Sequence, residues 1–159
     1  MNEMIDRFQA ELPRVTGLSS DAPVSRAELI GRFVDAVADS SVTSLRALTL
    51  NAAEFAWLYF PTSIYSRSPY AQPPEVNWLL LQQNSLKGEA RLLRHFGGRR
   101  LDVVDYRCGV EKEEGENRIH EQCTLKLRWD DGGVEDVRLF GSIIERDGRY
   151  KLLSLSNRL

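Results

Sequence analysis

The sequence predicts an α+β domain in which N-terminal helices pack on one face of a curved, four-stranded antiparallel meander. Three observations carry this. Between Ser25 and His95 the apolar residues recur at helical spacing. From Leu101 to Leu159 short alternating segments are separated by the turns Gly115-Glu116, Asp131-Gly132-Gly133 and Asp147-Gly148. In the first hairpin, turn chemistry and apolar alternation select the same register.

Composition sets the outer bounds. A chain of 159 residues fits one domain and is long enough to bury a real core without staples. It is 42% hydrophobic and 28% charged, ordinary globular values. The formal net charge of −2 argues against a general nucleic-acid or anionic-membrane binder. No apolar run approaches the roughly 20 residues of a membrane span. Met1 to Asp6 lacks the basic and apolar regions of a signal peptide, so the chain as written reads as cytoplasmic. As a mature fragment with its leader removed it reads equally well as exported, a setting that suits a cysteine pair.

Met4, Ile5, Phe8 and Leu12 predict a short amphipathic helix over 2–12, and Pro13 to Pro23 a turn-rich connector. Residues 1–24 thus form an arm ahead of a domain over 25–159. Ser25 and Glu28 make a capping box for a helix whose stripe is Leu29, Ile30, Phe33, Val34 and Val37. It ends at Ser40-Ser41, and a short helix follows over 43–50. Asn51 with Glu54 caps a third helix through Phe60, with Phe55, Leu58 and either Trp57 or Tyr59 inward. Four prolines between Pro61 and Pro74 exclude regular structure there. Such loops are often binding loops, and Tyr65 and Tyr70 lie within it; the alternative is that both pack the loop onto the core. Pro73-Pro74 opens a helix over 75–95 whose long apolar face is Val76, Leu79, Leu80, Leu86, Ala90 and Leu93, interrupted by Gln83. Gly88 marks a weak point or kink in it. Arg91, Arg94, His95, Arg99 and Arg100 form a basic cluster at its end, which complements the helix dipole or holds an anion.

The strands are predicted at 100–114, 117–130, 134–146 and 149–157. A type II′ turn at Gly115-Glu116 pairs residues whose numbers sum to 231. Cys108 then faces Cys123, Tyr106 faces Leu125 and Val104 faces Leu127. One face reads Val104, Tyr106, Cys108, Val110 against Ile119, Cys123, Leu125, Leu127, Trp129. Cys108 and Cys123 fall at a hydrogen-bonded pair, with a Cα separation of about 5.5 Å that permits a disulfide without requiring it. A three-residue turn at Asp131 to Gly133 pairs Leu127 with Val137, and a type I′ turn at Asp147-Gly148 pairs Ile143 with Leu152. The second face carries Val103, Phe140, Ile144, Leu153 and Leu155. This apolar patch calls for a homodimer contact through Phe140, Leu153 and Leu155, or for cover by the leading arm.

The stretch Leu29-Ile30-Gly31-Arg32-Phe33-Val34-Asp35-Ala36-Val37, followed after a polar break by Ser44-Leu45-Arg46-Ala47-Leu48, resembles the nuclear-transport-factor-2-like superfamily. So does the order of helices before a long meander. The resemblance covers roughly residues 25–157. It implies a cone-shaped pocket between sheet and helices and frequently a dimer through the sheet. It implies no single activity, since members include isomerases, dehydratases, cyclases and pure binding domains. A pocket of that kind would draw on Trp57, Tyr65, Tyr70, Tyr106 and Glu121. Its occupant is a small apolar molecule or a protein partner. In isomerase-like members an acid moves a proton while a tyrosine stabilises the enolate. Glu121, on the apolar face opposite Val110, and Tyr106 are the matching candidates, although Glu121 lies near the hairpin end where it can reach water. His120 points to the other face, so a dehydratase-type His–Asp pair is not expected. Two separated histidines predict no metal site, and no cofactor fingerprint is present. The favoured expectation is a non-enzymatic binding or accessory domain; the alternative is a pocket enzyme of the isomerase or dehydratase type.

Overall fold

The computed structural model describes residues 1–159. Helices α1 (Asn2–Ala10), α2 (Arg26–Ala38), α3 (Val42–Ala47), α4 (Ala52–Glu54) and α5 (Pro74–Phe96) precede all the strands. These are β1 (Asp102–Glu114), β2 (Asn117–Arg128), β3 (Val134–Val137), β4 (Ile143–Arg146) and β5 (Arg149–Leu152). The sheet is open and antiparallel, in the order β1-β2-β4-β5, with β3 paired to β2 beside β4. The α+β class is therefore the observed one, with five strands where four were expected.

Local chemistry explains the helix ends. Ser25 Oγ accepts the Glu28 amide at 3.0 Å, and the Glu28 carboxylate turns back to the Val24 amide. The Val24 amide, with Arg32 alongside, holds the Glu28 carboxyl below its usual range. Asn51 and Glu54 form the full reciprocal box. The helix predicted from there to Phe60 does not stay α-helical. It widens into a π-turn over Phe55–Tyr59 and tightens into a 3₁₀ turn at Phe60–Thr62, where Pro61 has no amide to donate.

In α5 the expected inward face is the outward one. Val76, Leu79, Leu80 and Leu86 are 45–55% exposed. Gly88, Glu89, Leu92 and Phe96 are buried instead, and Trp78 and Leu81 pack on the core. The opposite side of the helix carries the bulkier aromatic surface, and that side wins the core. The helix runs unbroken through Gly88, from Pro74 to Phe96.

The first hairpin keeps its predicted sum from Glu114↔Asn117 to Asp105↔Lys126. Gly115 has φ 61° and Glu116 is not left-handed, as a type II′ turn requires. At Val104 a bulge shifts the register, so Leu127 faces Val103 and Val104 turns to solvent. A second irregularity lies at Gln122, whose φ is 55°. Cys123, Leu125 and Leu127 join the core under α2, whereas Ile119 joins a separate core beside the π-turn. The continuous apolar face expected along the hairpin is thus divided between two clusters.

The third predicted strand is two. Its register against β2 pairs Leu125 with Val137 and Leu127 with Glu135, because the turn between them is centred on Asp131, one residue earlier than expected, with the Trp129 amide donating to the Gly133 carbonyl. Leu139 and Phe140 then drop into the core, and the chain re-enters the sheet as β4 against Arg118–His120. Asp147 and Gly148 both have positive φ, and Ile143 pairs with Leu152 as predicted.

The expected homodimer patch is not on the surface. Phe140 and Leu155 are buried with α2 and α3, and Leu153 lies in the second cluster with Leu18, Ala22, Phe55 and Ile144. The leading arm supplies that cover: Leu18 and Ala22 are buried, and Ile5 and Phe8 of α1 pack against them. Side chains already enclosed by their own chain have no area to offer a second copy. Ile143 and Ile144 are adjacent in one strand yet enter different clusters, so both faces of the sheet are covered at β4.

Candidate functional site

The largest cavity is an open groove of about 560 Å³ between α2 and the start of β1. Ile30 and Val34 come from the outer side of the α2 stripe, and Leu101, Val103 and Tyr106 from the strand. The bulge at Val104 splays the strand here, and Asp105 Oδ1 caps the Tyr106 amide at 2.8 Å. Arg26 lies over the Tyr106 ring at 5.8 Å. The rim is charged, with Arg100 and Asp35 paired at 3.0 Å. A second groove of about 330 Å³, lined by Arg99, Leu127 and Trp129, continues from it through Arg100, Leu101 and Asp102. Because β1 is the edge of the sheet, its outer backbone groups have no strand partner.

Of the predicted pocket residues, only Tyr106 lines this groove, and none lines the second. Tyr70 is 60% exposed at the tip of the proline loop. Tyr65 and Trp57 pack on the second core cluster, Trp57 with Arg14 over its ring at 5.0 Å. The Trp57 indole N–H is buried without a partner. Glu121 and Tyr106 do not converge. They sit four pairs apart along the hairpin, about 13 Å, with the left-handed Gln122 between them.

Glu121 belongs instead to a polar cluster on the other side of the hairpin. Lys112 Nζ bridges Glu114 at 3.3 Å and Glu121 at 3.4 Å. Burial lowers the Lys112 pKa, but the two carboxylates outweigh it, so the group is held above its ordinary value. Tyr59 lies close by. Its burial, and then the charge of Glu114, raise its phenol well above the usual range. Glu114 is itself buried, and its Oε2 has no partner. Neither groove opens onto this cluster.

A third grouping escaped the sequence reading. His120 is buried, with Nε2 3.1 Å from Glu145 Oε1 and Nδ1 3.9 Å from Glu111 Oε2. Tyr150 is paired with Glu145, and its phenol is raised by burial first and then by that carboxylate. The His–carboxylate pair depends on β4 lying beside the turn end of β2. Only the split of the third strand brings this about, and no local motif signals it.

Comparison with family models, with curated proteins and with solved structures finds no match. No helix is long and apolar enough to cross a membrane, and no cluster of His, Cys, Asp and Glu side chains has the arrangement of a metal site.

Proposed function

We propose that the chain is a binding or accessory domain of nuclear-transport-factor-2-like build, and that the groove between α2 and β1 receives an extended segment of a partner protein. One observation carries this reading: the largest groove runs along an unpaired strand edge and has an apolar floor and a charged rim. A bound segment adds main-chain hydrogen bonds to β1 while alternate side chains enter the groove over Ile30, Val34 and Tyr106. The open form suits a polypeptide better than a fully enclosed small apolar molecule. The cystine between Cys108 and Cys123 suits a life in an oxidising compartment.

Displayed-peptide selection against the purified domain tests this. The expected winners carry alternating apolar residues, and their affinity falls at least about tenfold for Val34→Arg while Glu121→Gln leaves it unchanged. Binders indifferent to Val34→Arg would remove the groove from the proposal.

The polar cluster favours a second reading, proton transfer by a pocket enzyme. Glu121 would act as base beside Tyr59, with Lys112 holding the carboxylate. The groove's Tyr106 has no part in that chemistry.

A further inference from the structure

Glu89 of α5 is buried, yet it takes part in neither groove and in neither polar cluster of the hairpin. Arg46 of α3 donates to its two carboxylate oxygens from Nε and Nη2, both at 3.0 Å. The guanidinium side of the pair stays more than half exposed. An ion pair open to solvent on one side adds little to stability, and burying the carboxylate costs desolvation. What the pair supplies is a guanidinium locked in one orientation, with its Nη1 protons left over.

The pair stands at one end of a cleft of about 450 Å³ between α5 and the connection from α3 to α4, a volume usual for a small-molecule site. Trp78, Gln82, Ser85 and Glu89 line it from α5. At 100° per residue these four fall within about 60° around the helix, along about 16 Å of its length. Asn51, the N-cap of α4, lines the opposite wall, and the buried Leu50 and Leu155 complete the lining. Much of the polar capacity here is unspent. Asn51 uses its side-chain carbonyl on the Glu54 amide and keeps two N–H groups. Ser85 Oγ accepts the Leu155 amide and keeps its own proton. Gln82 has no side-chain partner within the chain, so its amide is free to donate and to accept.

This inventory selects the ligand. Arg46 and Glu89 are the two charged residues of the lining, and they cancel. An anion held by Arg46 would sit in the field of Glu89, and a cation held by Glu89 in that of Arg46. A neutral polar ligand escapes both penalties. Hydroxyl groups match what is left, because each offers two acceptor lone pairs for one proton, and the cleft has more free donors than acceptors. Trp78, whose ring rests on Phe55 at 5.0 Å, joins Leu50 and Leu155 in offering apolar surface to the C–H face of a ring that carries such hydroxyls. We propose that this cleft binds a saccharide, with Arg46, Asn51, Gln82 and Ser85 donating to its hydroxyls and Trp78 packing against a C–H face. The cleft shares no lining residue with the groove along β1, so the site stands independently of the peptide reading.

NMR titration of the isotope-labelled chain with glucose, galactose, N-acetylglucosamine, maltose and cellobiose tests this. The indole signals of the three tryptophans report separately. At least one sugar is expected to shift the Trp78 indole and the Gln82 side-chain amide, saturably and at millimolar concentration, while Trp57 and Trp129 stay in place. Gln82→Ala should raise the Kd by about three- to tenfold, as loss of a hydrogen bond or two implies. Arg46→Lys keeps a cation beside Glu89 but removes the fork, and should weaken binding by a similar factor. Val34→Arg, in the groove along β1, should leave the Kd unchanged. Circular dichroism and melting of each variant check that the fold is kept. If no sugar moves the Trp78 indole, the proposal fails. Binding that ignores both Gln82→Ala and Arg46→Lys lies elsewhere and overturns it as well. Acetate and inorganic phosphate are titrated alongside; a response to either of them with none to the sugars would make the cleft an anion site and overturn the saccharide.

Discussion

Gly88 shows how one residue can carry opposite meanings in sequence and in structure. In the middle of a helix, glycine is the weakest choice short of proline, and Gly→Ala by propensity alone gains up to about 1 kcal/mol. Here a Cβ would sit 1.8 Å from the Leu155 carbonyl oxygen and 2.5 Å from its carbon. The chain after β5 runs against the helix at that point: Asn157 Nδ2 donates to the Gly88 carbonyl at 2.8 Å, and the Leu155 amide donates to Ser85 Oγ at 3.0 Å. The contact is backbone on backbone, with no flexible side chain to yield. Gly88→Ala is therefore expected to destabilise by about 1–3 kcal/mol, the range for overpacking. Gly31, in α2 with open space around its Cα, supplies the control. In urea titrations of both variants, Gly31→Ala should hold or gain stability. A Gly88→Ala variant as stable as Gly31→Ala would show that the C-terminal segment moves aside freely.

Among the elements, the β1–β2 hairpin brings Cys108 and Cys123 together. They are bonded, with Cα atoms 3.9 Å apart rather than the expected 5.5 Å or so. The neighbouring Gly109 and Gln122 do not pair, and Gln122 is left-handed, so the strands leave the regular ladder just there. The bond spans 15 residues, and a loop of that size implies about 3 kcal/mol of stabilisation. Cys108→Ser/Cys123→Ser should lower the unfolding free energy by about that amount. Alkylation followed by intact-mass measurement should label neither thiol without reductant and both with it. Label on the unreduced protein would refute the bond. This hairpin also marks how far the sequence reaches. Its register was legible from Glu114 inward because glycine chemistry at Gly115 and period-two alternation are both local. The bulge at Val104 and the inversion at Gln122 were not, since either residue fits a regular strand and only packing on α2 and on the π-turn selects the distortion. The same limit applies to α5, where periodicity located the helix and its ends but could not say which of two amphipathic faces would meet the sheet. It applies again to the candidate site: Tyr106 reaches the groove as a strand residue should, whereas the partners of Glu121 and His120 come from elements distant in sequence.

For the molecule as a whole, the question is whether the arm is an appendage to a domain over 25–159 or part of it. The buried ion pair of Glu54 with Lys151, at 2.8 Å, connects α4 to β5 through the second core cluster. Two charges at that depth are tolerated only when their remaining hydrogen-bonding capacity is filled. On Glu54 the arm fills it, because the Ser19 amide and hydroxyl donate to Oε2 at 2.8 and 3.2 Å. Farther along, the Tyr150 amide donates to the Pro23 carbonyl at 2.9 Å and Arg149 to the Ala22 carbonyl at 2.8 Å, which ties the arm to β5. Gln9 in α1 donates to the Ala56 carbonyl in the π-turn, and Phe8 meets Phe55 edge to face. Removing residues 1–24 thus uncovers Leu153 and Ile144 and leaves a buried carboxylate short of two donors. Lys151 and the Asn51 amide stay on Oε1, so the loss is of hydrogen bonds to Oε2, which costs about 1–3 kcal/mol for a buried acceptor, and the lost apolar cover adds to it. A domain of ordinary stability holds only about 5–15 kcal/mol in total. The 25–159 fragment is therefore expected to unfold at less than half the denaturant midpoint of the full chain, or to lack a cooperative transition. A fragment that unfolds at the full-length midpoint would show instead that the domain is complete without its arm, and that water can replace Ser19 at Glu54.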